Sequence, residues 1–246
     1  MTDPVPRAIA TILNATPLFS ALDAAGRRDL LAAAEFHEVA PRTKLFEEGA
    51  ACDGLWVMAA GAAKLYLTGA TGQIHITSLV GPASALDLVA ALDGERFGVT
   101  AETIAPAQVV QIPRSTFLNA VARNATMLHV AVDQLCAELR RRDVALAIGG
   151  LKDSRQRIAC TLIRWSKQHG IVNGDAGGPV IPYPLTRQDL AASVGVTLET
   201  AIRQLAPLER TRIIRTSRRG LEILNGEALA DVASCDECTF PCALFD

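Results

Sequence analysis

The longest periodic pattern of the chain lies in its middle, from Ser115 to about Ile148. Residues recur there at alternating spacings of four and three, the heptad signature of a helix that buries one stripe. The predicted seam comprises Val121, Ala125, Leu128, Val132, Leu135, Leu139, Arg142 and Leu146. We predict that it forms a parallel homodimer; the alternative is that the stripe packs on the chain's own β-domain. Arg142 then needs an acidic neighbour such as Glu138 or Asp143 of the other subunit, or it faces a ligand pocket.

Short β-rich runs separated by glycines occupy residues 43–112, ahead of this helix. Runs such as LWVMAA, QIHITSLV and AQVVQI have the length and alternation of strands in an antiparallel sandwich or roll. Before them, FSALDAAGRRDLLAAAEFHEV predicts a pair of helices, with Ser20 capping the second. The first part of the chain is therefore predicted to be a β-domain preceded by helices.

Residues 185–209 have the pattern of two short helices joined by a tight turn. Thr186 can cap the first helix, Gly195 can end it with a positive φ, and Thr197 can cap the second. The second helix would present Leu198, Glu199, Ile202 and Arg203 on its outer, N-terminal face. An arginine can bind guanine O6 and N7 together and a glutamate can accept from a cytosine amino group, so this face suits a DNA major groove. The alternative is an ordinary helical hairpin whose Glu and Arg form a solvated i,i+4 pair.

The charge distribution favours the DNA-binding interpretation. Residues 154–224 carry 11 Lys and Arg against 5 Asp and Glu, whereas residues 1–153 and 225–246 are both net acidic. A near-neutral chain therefore contains one basic segment, the electrostatic signature of a nucleic-acid module. Within it, RTSRRGLEIL predicts a two-stranded wing whose tip, Arg218 and Arg219, would contact phosphates.

Four segments follow from these patterns: a β-domain over 1–114, a dimerisation helix over 115–150, a DNA-binding domain over 151–226 and a tail over 227–246. Gly149, Gly150 and the Lys152–Asp153 pair are predicted to break the long helix, with Asp153 capping the next. No apolar run is long enough for a bilayer, and no basic leader precedes the first apolar patch, so a cytoplasmic protein without membrane contact is expected. No Ser/His/Asp, paired-carboxylate or phosphate-loop pattern points to an enzyme.

With these residues laid out, the chain resembles the CRP/FNR family of dimeric transcription regulators from about Ala15 to Leu224. The resemblance is carried by KLFEEGAACDGLWVMAAGAAKLYL, with Gly49, Gly61 and Gly72 at the family's spacings, and by LTRQDLAASVGVTLETAIRQL. It implies an α+β fold: an N-terminal β-roll of the cyclic-nucleotide-binding type (a double-stranded β-helix), a long dimerisation helix and a C-terminal winged helix-turn-helix. It also implies DNA and RNA polymerase as partners. The DNA-binding residues implied are Thr186, Arg187, Gln188, Thr197, Leu198, Glu199, Thr200, Ile202, Arg203, Arg218 and Arg219.

Leu198 followed by Glu199 and Arg203 looks more like the FNR and FixK branch than the CRP branch, which would carry Arg at position 198. That resemblance implies TTG-type half-sites in an inverted repeat. The chain departs from the family at Pro207, which is expected to kink or end the recognition helix near Arg203.

A second departure concerns cyclic nucleotides. Members that bind them carry Gly-Glu and, ten residues later, Arg-Ser, which grip the ribose and the cyclic phosphate. Here the corresponding positions are Leu86-Asp87 and Phe97-Gly98. If the alignment is shifted by one residue so that Arg96 takes the place of the arginine, Phe97 still stands where the serine should be. Cyclic AMP is therefore not expected as the effector.

The C-terminal tail, SCDECTFPCALFD, spaces Cys235, Cys238 and Cys242 as Cys-x2-Cys-x3-Cys. Thiolates at this spacing can bind one metal or cluster, so an iron–sulfur cluster is the favoured cofactor. Zinc, a thiol–disulfide switch and an inert tail are the alternatives. Family members that sense oxygen carry their cysteines near the N-terminus instead, and a fourth ligand from Cys52, Cys136, Cys160 or His169 could come only through folding.

The sequence thus predicts a DNA-binding regulator that responds to redox state, oxygen, nitric oxide or iron through its C-terminal cysteines. The alternative is a regulator with a vestigial sensor, either constitutive or controlled by a protein partner or another small ligand.

Overall fold

The computed structural model describes residues 4–172, 178–217 and 220–235. The helices are α1 (Pro4–Ala15), α2 (Ala24–Ala33), α3 (Leu88–Asp93), α4 (Arg114–Arg123), α5 (Ala125–Leu151), α6 (Ser154–His169), α7 (Arg187–Val194), α8 (Leu198–Arg210) and α9 (Gly226–Ala233). The strands are β1 (Glu35–Val39), β2 (Lys44–Phe46), β3 (Gly54–Ala60), β4 (Ala63–Thr68), β5 (Ile74–Val80), β6 (Ser84–Leu86), β7 (Thr100–Thr103), β8 (Ala107–Pro113), β9 (Ile171–Val172), β10 (Pro179–Ile181), β11 (Ile214–Ser217) and β12 (Gly220–Ile223).

Two four-stranded sheets build the predicted β-domain. Their strand orders are β1-β8-β3-β6 and β2-β7-β4-β5, and the registered pairs in them are antiparallel. One apolar core inside the roll includes Phe46, Met58, Leu65, Phe97 and Val109. The predicted α+β class with a sandwich-like roll is confirmed.

A second apolar core joins the roll to the helices around it. It combines side chains of α1, α2, α4 and the start of α5 with strands β3 and β8, and its largest members include Leu13, Phe19, Leu30, Phe117 and Met127. Burial of these apolar surfaces is the main driving force for the packing.

Ahead of the roll, the sequence predicted a pair of helices, and both the cap of the second helix and the position of its end are wrong. A short 3-10 turn, Pro17–Phe19, precedes α2, and Asp23 rather than Ser20 caps α2 by accepting from the Gly26 N–H at 2.7 Å. The residues EFHEV form strand β1, because they pair with β8 along its whole length.

The single long helix predicted from Ser115 is two helices. Asn124 adopts extended backbone angles, φ −135° and ψ 97°, its side chain caps α5 by accepting from the Met127 N–H at 2.9 Å, and its amide donates to the Ala21 carbonyl at 2.7 Å. Val121 consequently lies on α4, 7% exposed within the core, and its assignment to the dimer seam is wrong.

The predicted break at Gly149 and Gly150 is also wrong, since α5 continues through both to Leu151. Glycine costs a helix only about 1 kcal/mol relative to alanine, and Val144 and Ile148 anchor this end by burial. The break falls at Lys152–Asp153, and Asp153 caps α6 as predicted, forming a capping box with Gln156.

The chain forms two compact units. The first comprises residues 1–67 and 79–138, and the second comprises residues 68–78 and 139–246. The division lies within α5, between Glu138 and Leu139. No helix in the described part of the chain is long and apolar enough to cross a membrane.

Candidate DNA-binding surface

The first helix of the predicted reading motif is fixed by caps at both ends. Thr186 Oγ1 accepts from the Asp189 N–H at 3.0 Å, and Asp189 Oδ2 accepts from the Thr186 N–H at 3.0 Å, which completes a capping box. Gly195 ends α7 with φ +66°. The Thr186 cap and the Gly195 end confirm the prediction, which did not include the reciprocal bond to Asp189.

Three residues separate the end of the first helix from the start of the second. Thr197 Oγ1 accepts from the Thr200 N–H at 3.2 Å and caps α8, as predicted. Ala201, Leu205 and Leu208 are buried along one side of α8 and fix its orientation in the second unit.

The opposite side of α8 carries the predicted base-reading residues. Leu198 and Ile202 are large apolar side chains left 40% and 45% exposed, and Glu199 and Arg203 beside them are also exposed. Exposed apolar groups next to an acidic and a basic hydrogen-bonding group match what a major groove offers: thymine methyls, base acceptors and base donors. The fold therefore brings four predicted residues together on the first two turns of one helix, while Thr197 and Thr200 form its cap.

Of the two outcomes predicted for Pro207, a kink or an end of α8, the end near Arg203 is wrong. The helix runs on to Arg210, because one missing N–H removes a single backbone bond while Leu205 and Leu208 hold the helix by burial on both sides of the proline.

The wing is a two-stranded hairpin, as predicted. β11 pairs with β12 from Ile214↔Ile223 to Ser217↔Gly220, and β12 continues the sheet through β10 to β9. Arg218 and Arg219, predicted to contact phosphates at its tip, lie outside the described residues.

A carboxylate that sequence reasoning missed links the wing to α7. Glu209 on α8 accepts from Arg187 Nη2 at 3.3 and 3.2 Å through its two oxygens, and it also accepts a hydrogen bond from the Thr216 hydroxyl of β11. The network lines an open groove together with Arg212 and Arg215. Because it joins residues from three elements, no local pattern indicates it. Thr186, Arg187 and Gln188 are exposed beside it at the start of α7.

The rest of the predicted seam lies along α5. Leu128, Val132, Leu139 and Leu146 are 47%, 46%, 62% and 75% exposed, whereas Leu135 is half-buried and packs against the first unit's helical core. Arg142 is exposed on the same helix. A helix with an apolar face left open over this length has a surface suited to a second copy of itself.

Of the three predicted metal ligands, the structure describes Cys235, which lies two residues after the end of α9 and is half-buried. Cys238 and Cys242 lie outside the described residues. Among the described residues, no three His, Cys, Asp or Glu side chains come together in a metal-binding arrangement.

Comparison with known families agrees with this architecture in both units. Residues 36–124 match the model of the cyclic nucleotide-binding domain, and residues 156–232 match that of the Crp-like helix-turn-helix domain. Both domains occur in the order that the resemblance predicted. The chain belongs to the CRP/FNR family of transcription regulators.

Similar CRP/FNR proteins cover most of the chain. The transcriptional activatory protein AadR of Rhodopseudomonas palustris is 25% identical over 185 residues, 75% of each chain. The cyclic AMP receptor protein of Thermus thermophilus is 24% identical over 222 residues, 90% of this chain and 98% of that one. The solved structure of FixK2 from Bradyrhizobium japonicum superposes with a TM-score of 0.72 at 21% identity, covering 81% of this chain and 96% of that one, and it supports the fold. These matches confirm a regulator rather than an enzyme.

Internal contacts occupy the positions of the roll that the resemblance assigned to cyclic-nucleotide binding. Phe97 is 3% exposed, and its ring stacks on Phe46 with centroids 3.9 Å apart. The Arg96 guanidinium donates to the Gly49 carbonyl at 2.6 Å, and the Gly98 N–H donates to Asp87 Oδ2 at 3.0 Å. An aromatic ring and internal hydrogen bonds therefore occupy the positions where a phosphate would need an arginine and a hydroxyl.

Proposed function

We propose that the protein binds, as a homodimer, an inverted repeat of TTG-type half-sites, and that its C-terminal cysteines make this binding responsive to redox state, oxygen, nitric oxide or iron. The DNA-binding part rests mainly on one observation. The first two turns of α8 expose Leu198, Glu199, Ile202 and Arg203 together, while the other side of the helix is buried.

Arg203 and Glu199 stand one helical turn apart, so they suit neighbouring base pairs. Arginine paired with guanine and glutamate paired with a cytosine amino group each contribute about 1 to 3 kcal/mol of discrimination. The half-site itself follows from the resemblance to the FNR and FixK branch, where Leu198 stands in place of the arginine of the CRP branch.

Arg203→Ala tests this assignment. We expect a loss of about 1 to 3 kcal/mol per half-site on the specific sequence, with relaxed preference at one base pair and little change on random DNA. Arg210→Ala is the matched control, because Arg210 is an exposed arginine in the last turn of the same helix. Equal losses on specific and random DNA for Arg203→Ala would contradict a base contact.

The homodimer rests on the open apolar face of α5. A paired reader also needs two-fold symmetry to bind an inverted repeat, because each helix-turn-helix reads one half-site. RNA polymerase is proposed as a further partner on the strength of the family alone.

The cofactor rests on the Cys-x2-Cys-x3-Cys spacing and on the setting of Cys235. The Lys152 ammonium lies 2.7 Å from the Ala233 carbonyl, two residues before Cys235, so a positive charge is held near the start of the tail. Cys235, Cys238 and Cys242 would hold an iron–sulfur cluster, which when bound would supply sensitivity to oxygen, nitric oxide or iron supply.

Anaerobic purification tests the cofactor. We expect coloured protein with iron and sulfide, loss of both in Cys238→Ser, and different DNA affinities of the loaded and stripped forms. Colourless protein free of iron and zinc would contradict the metal site.

A second candidate function is favoured by the stacked Phe46 and Phe97 rings. A roll filled by its own side chains is what a regulator with a vestigial sensor would have. That regulator would bind DNA with one affinity whatever the redox state, so the same comparison of loaded and stripped forms separates the two.

A further inference from the structure

A single residue, Lys152, links α5 to the cap of α6. Helix α5 ends at Leu151, and Asp153 is the N-cap of α6. The Lys152 N–H still donates to the Ile148 carbonyl at 3.2 Å, so the linker continues the last turn of α5. One residue has only two soft backbone dihedrals, φ and ψ. These two angles therefore largely set the direction in which α6 leaves α5.

The side chain of Lys152 binds the C-terminal end of α9, a helix distant in sequence. Its ammonium donates to the Ala233 carbonyl at 2.7 Å and to the Ser234 carbonyl at 3.3 Å. Carbonyls at the end of a helix have no partner within the helix, and they carry the negative end of the helix dipole. Lys152 therefore supplies both a donor and the favourable charge to two of them.

A second contact joins the start of α6 to the same end of α9. Gln156 Oε1 accepts from the Asp153 N–H at 3.1 Å in the capping box, while Nε2 of the same amide donates to Ser234 Oγ at 3.0 Å. Helices α6 and α9 pack on each other, and Leu229 and Ala233 of α9 are fully buried. The linker and the cap that follows it are thus both attached to α9.

The other end of α9 is attached to the base of the wing. The N–H groups of Leu224 and Asn225 donate to the Ile213 carbonyl at 2.8 and 3.1 Å, directly before β11 begins. Asn225 also caps α9 by accepting from the Ala228 N–H at 2.9 Å. The Ile213 N–H donates in turn to the Leu208 carbonyl of α8 at 2.9 Å. A series of contacts therefore connects the recognition helix α8 through α9 to the linker.

We propose that Lys152 is a positioning residue for DNA binding. By attaching the linker to α9, it sets the orientation of α8 on the second unit's part of α5, and with it the separation of half-sites that the dimer accepts. The inference rests on the proposed function, in which a homodimer binds an inverted repeat. Leu139 and Leu146 of the predicted seam lie in that same part of α5. A rotation at the linker would therefore move each recognition helix relative to the two-fold axis.

The separation of the half-sites reports this orientation. One added base pair moves a half-site by about 3.4 Å and rotates it by about 35° around the DNA axis. A fixed linker cannot follow such a shift, whereas a linker released from α9 can. Poor folding or a lost phosphate contact would instead lower the affinity for every separation alike, so the two causes give different results.

The test uses Lys152→Met, which removes the ammonium and keeps the length of the side chain. Fluorescence anisotropy of the full-length protein is measured on duplexes with two inverted TTG half-sites, whose separation changes by single base pairs, and on a duplex with one half-site. We expect the wild type to bind its best separation at least about tenfold more tightly than separations one base pair away, and Lys152→Met to lower this ratio to about threefold or less. Affinity for the single half-site should stay within about twofold of the wild type, which also checks that the variant folds.

Two matched variants serve as controls. Lys152→Arg keeps a cationic donor for the carbonyls of α9, so it should retain the preference for one separation. Arg155→Met removes the same charge from the first turn of α6, where Arg155 is exposed, and it should also retain the preference.

Amide hydrogen exchange of the DNA-free protein gives a second readout. In Lys152→Met, the amides in the last turn of α9 should exchange at least about fivefold faster, while those of α7 keep the wild-type rates. Unchanged exchange in α9 would contradict its attachment to the linker through Lys152.

The outcomes separate the two proposals. If Lys152→Met keeps the wild-type preference, or loses affinity equally on every duplex including the single half-site, the positioning role is overturned and the inverted repeat still stands. A wild type that prefers no separation would overturn the inverted repeat and this inference with it.

Discussion

The substitution Glu209→Gln is expected to change DNA affinity through two opposing effects, the loss of a negative charge near DNA and the loss of an ion pair with Arg187. Removing a negative charge close to DNA should by itself tighten binding, because the repulsion from phosphates is reduced. The structure predicts the opposite, since the Glu209 carboxylate holds Arg187 at 3.2 Å and the Thr216 hydroxyl of the wing. A neutral amide keeps the shape but loses the charge that positions Arg187.

The size of the effect follows from the exposure of the pair. The side chains of Arg187 and Glu209 are 47% and 29% exposed, so their interaction is worth about 0.2 to 1 kcal/mol per subunit. Two subunits give about 0.4 to 2 kcal/mol, or a weakening of about 2- to 30-fold. If Arg187 also loses a phosphate contact in each subunit, the slope of log affinity against log salt should become shallower by about 1.8.

Fluorescence anisotropy on one palindromic duplex, measured over a series of salt concentrations, gives both quantities. Glu222→Gln is the control, because it makes the same charge change in the same domain but breaks only a contact inside the wing hairpin, between Glu222 Oε2 and Arg215 Nε at 2.9 Å. We expect Glu222→Gln to bind as tightly as the wild type or more tightly. Tighter binding by Glu209→Gln with an unchanged salt slope would refute the positioning role of Glu209.

Three further predictions concern assembly and the roll. The double variant Leu139→Asp/Leu146→Asp should dissociate the dimer, because like charges would face each other across the seam. Leu151→Asp is the control, since this leucine is also exposed but lies off the heptad, and it should leave the dimer intact. Light scattering measures the oligomeric state, and a double variant that stays dimeric would place the interface elsewhere. Phe97→Ala should lower the free energy of unfolding by about 3 to 5 kcal/mol in urea titrations, since it empties a buried, stacked site; a loss below 1 kcal/mol would contradict that packing. Calorimetry should detect no binding of cyclic AMP or cyclic GMP at micromolar concentrations, and a measurable dissociation constant in that range would show that the roll opens for a phosphate.

Local interactions were readable from the sequence alone. The caps of α7 and α8 at Thr186 and Thr197, the turn at Gly195 and the cap of α6 at Asp153 each depend on residues within four positions of one another. The alternation of apolar residues in the strands and the heptad spacing in α5 likewise indicate which face of an element is apolar. These spacings follow from strand and helix geometry. The order of the elements, and hence the family, followed from these features.

Tertiary contacts decided the rest. Asn124 interrupts a continuous helical pattern because Ala21, more than a hundred positions away, accepts from its side chain. Pro207 and the glycines at the end of α5 failed to act as breakers, since burial of neighbouring side chains outweighs a local preference of about one to three kcal/mol. The links from Glu209 to Arg187, 22 residues away, and from Lys152 to the end of α9, 81 residues away, join residues distant in sequence. Sequence periodicity records which side of an element is buried, but only the packed chain determines which partner covers it.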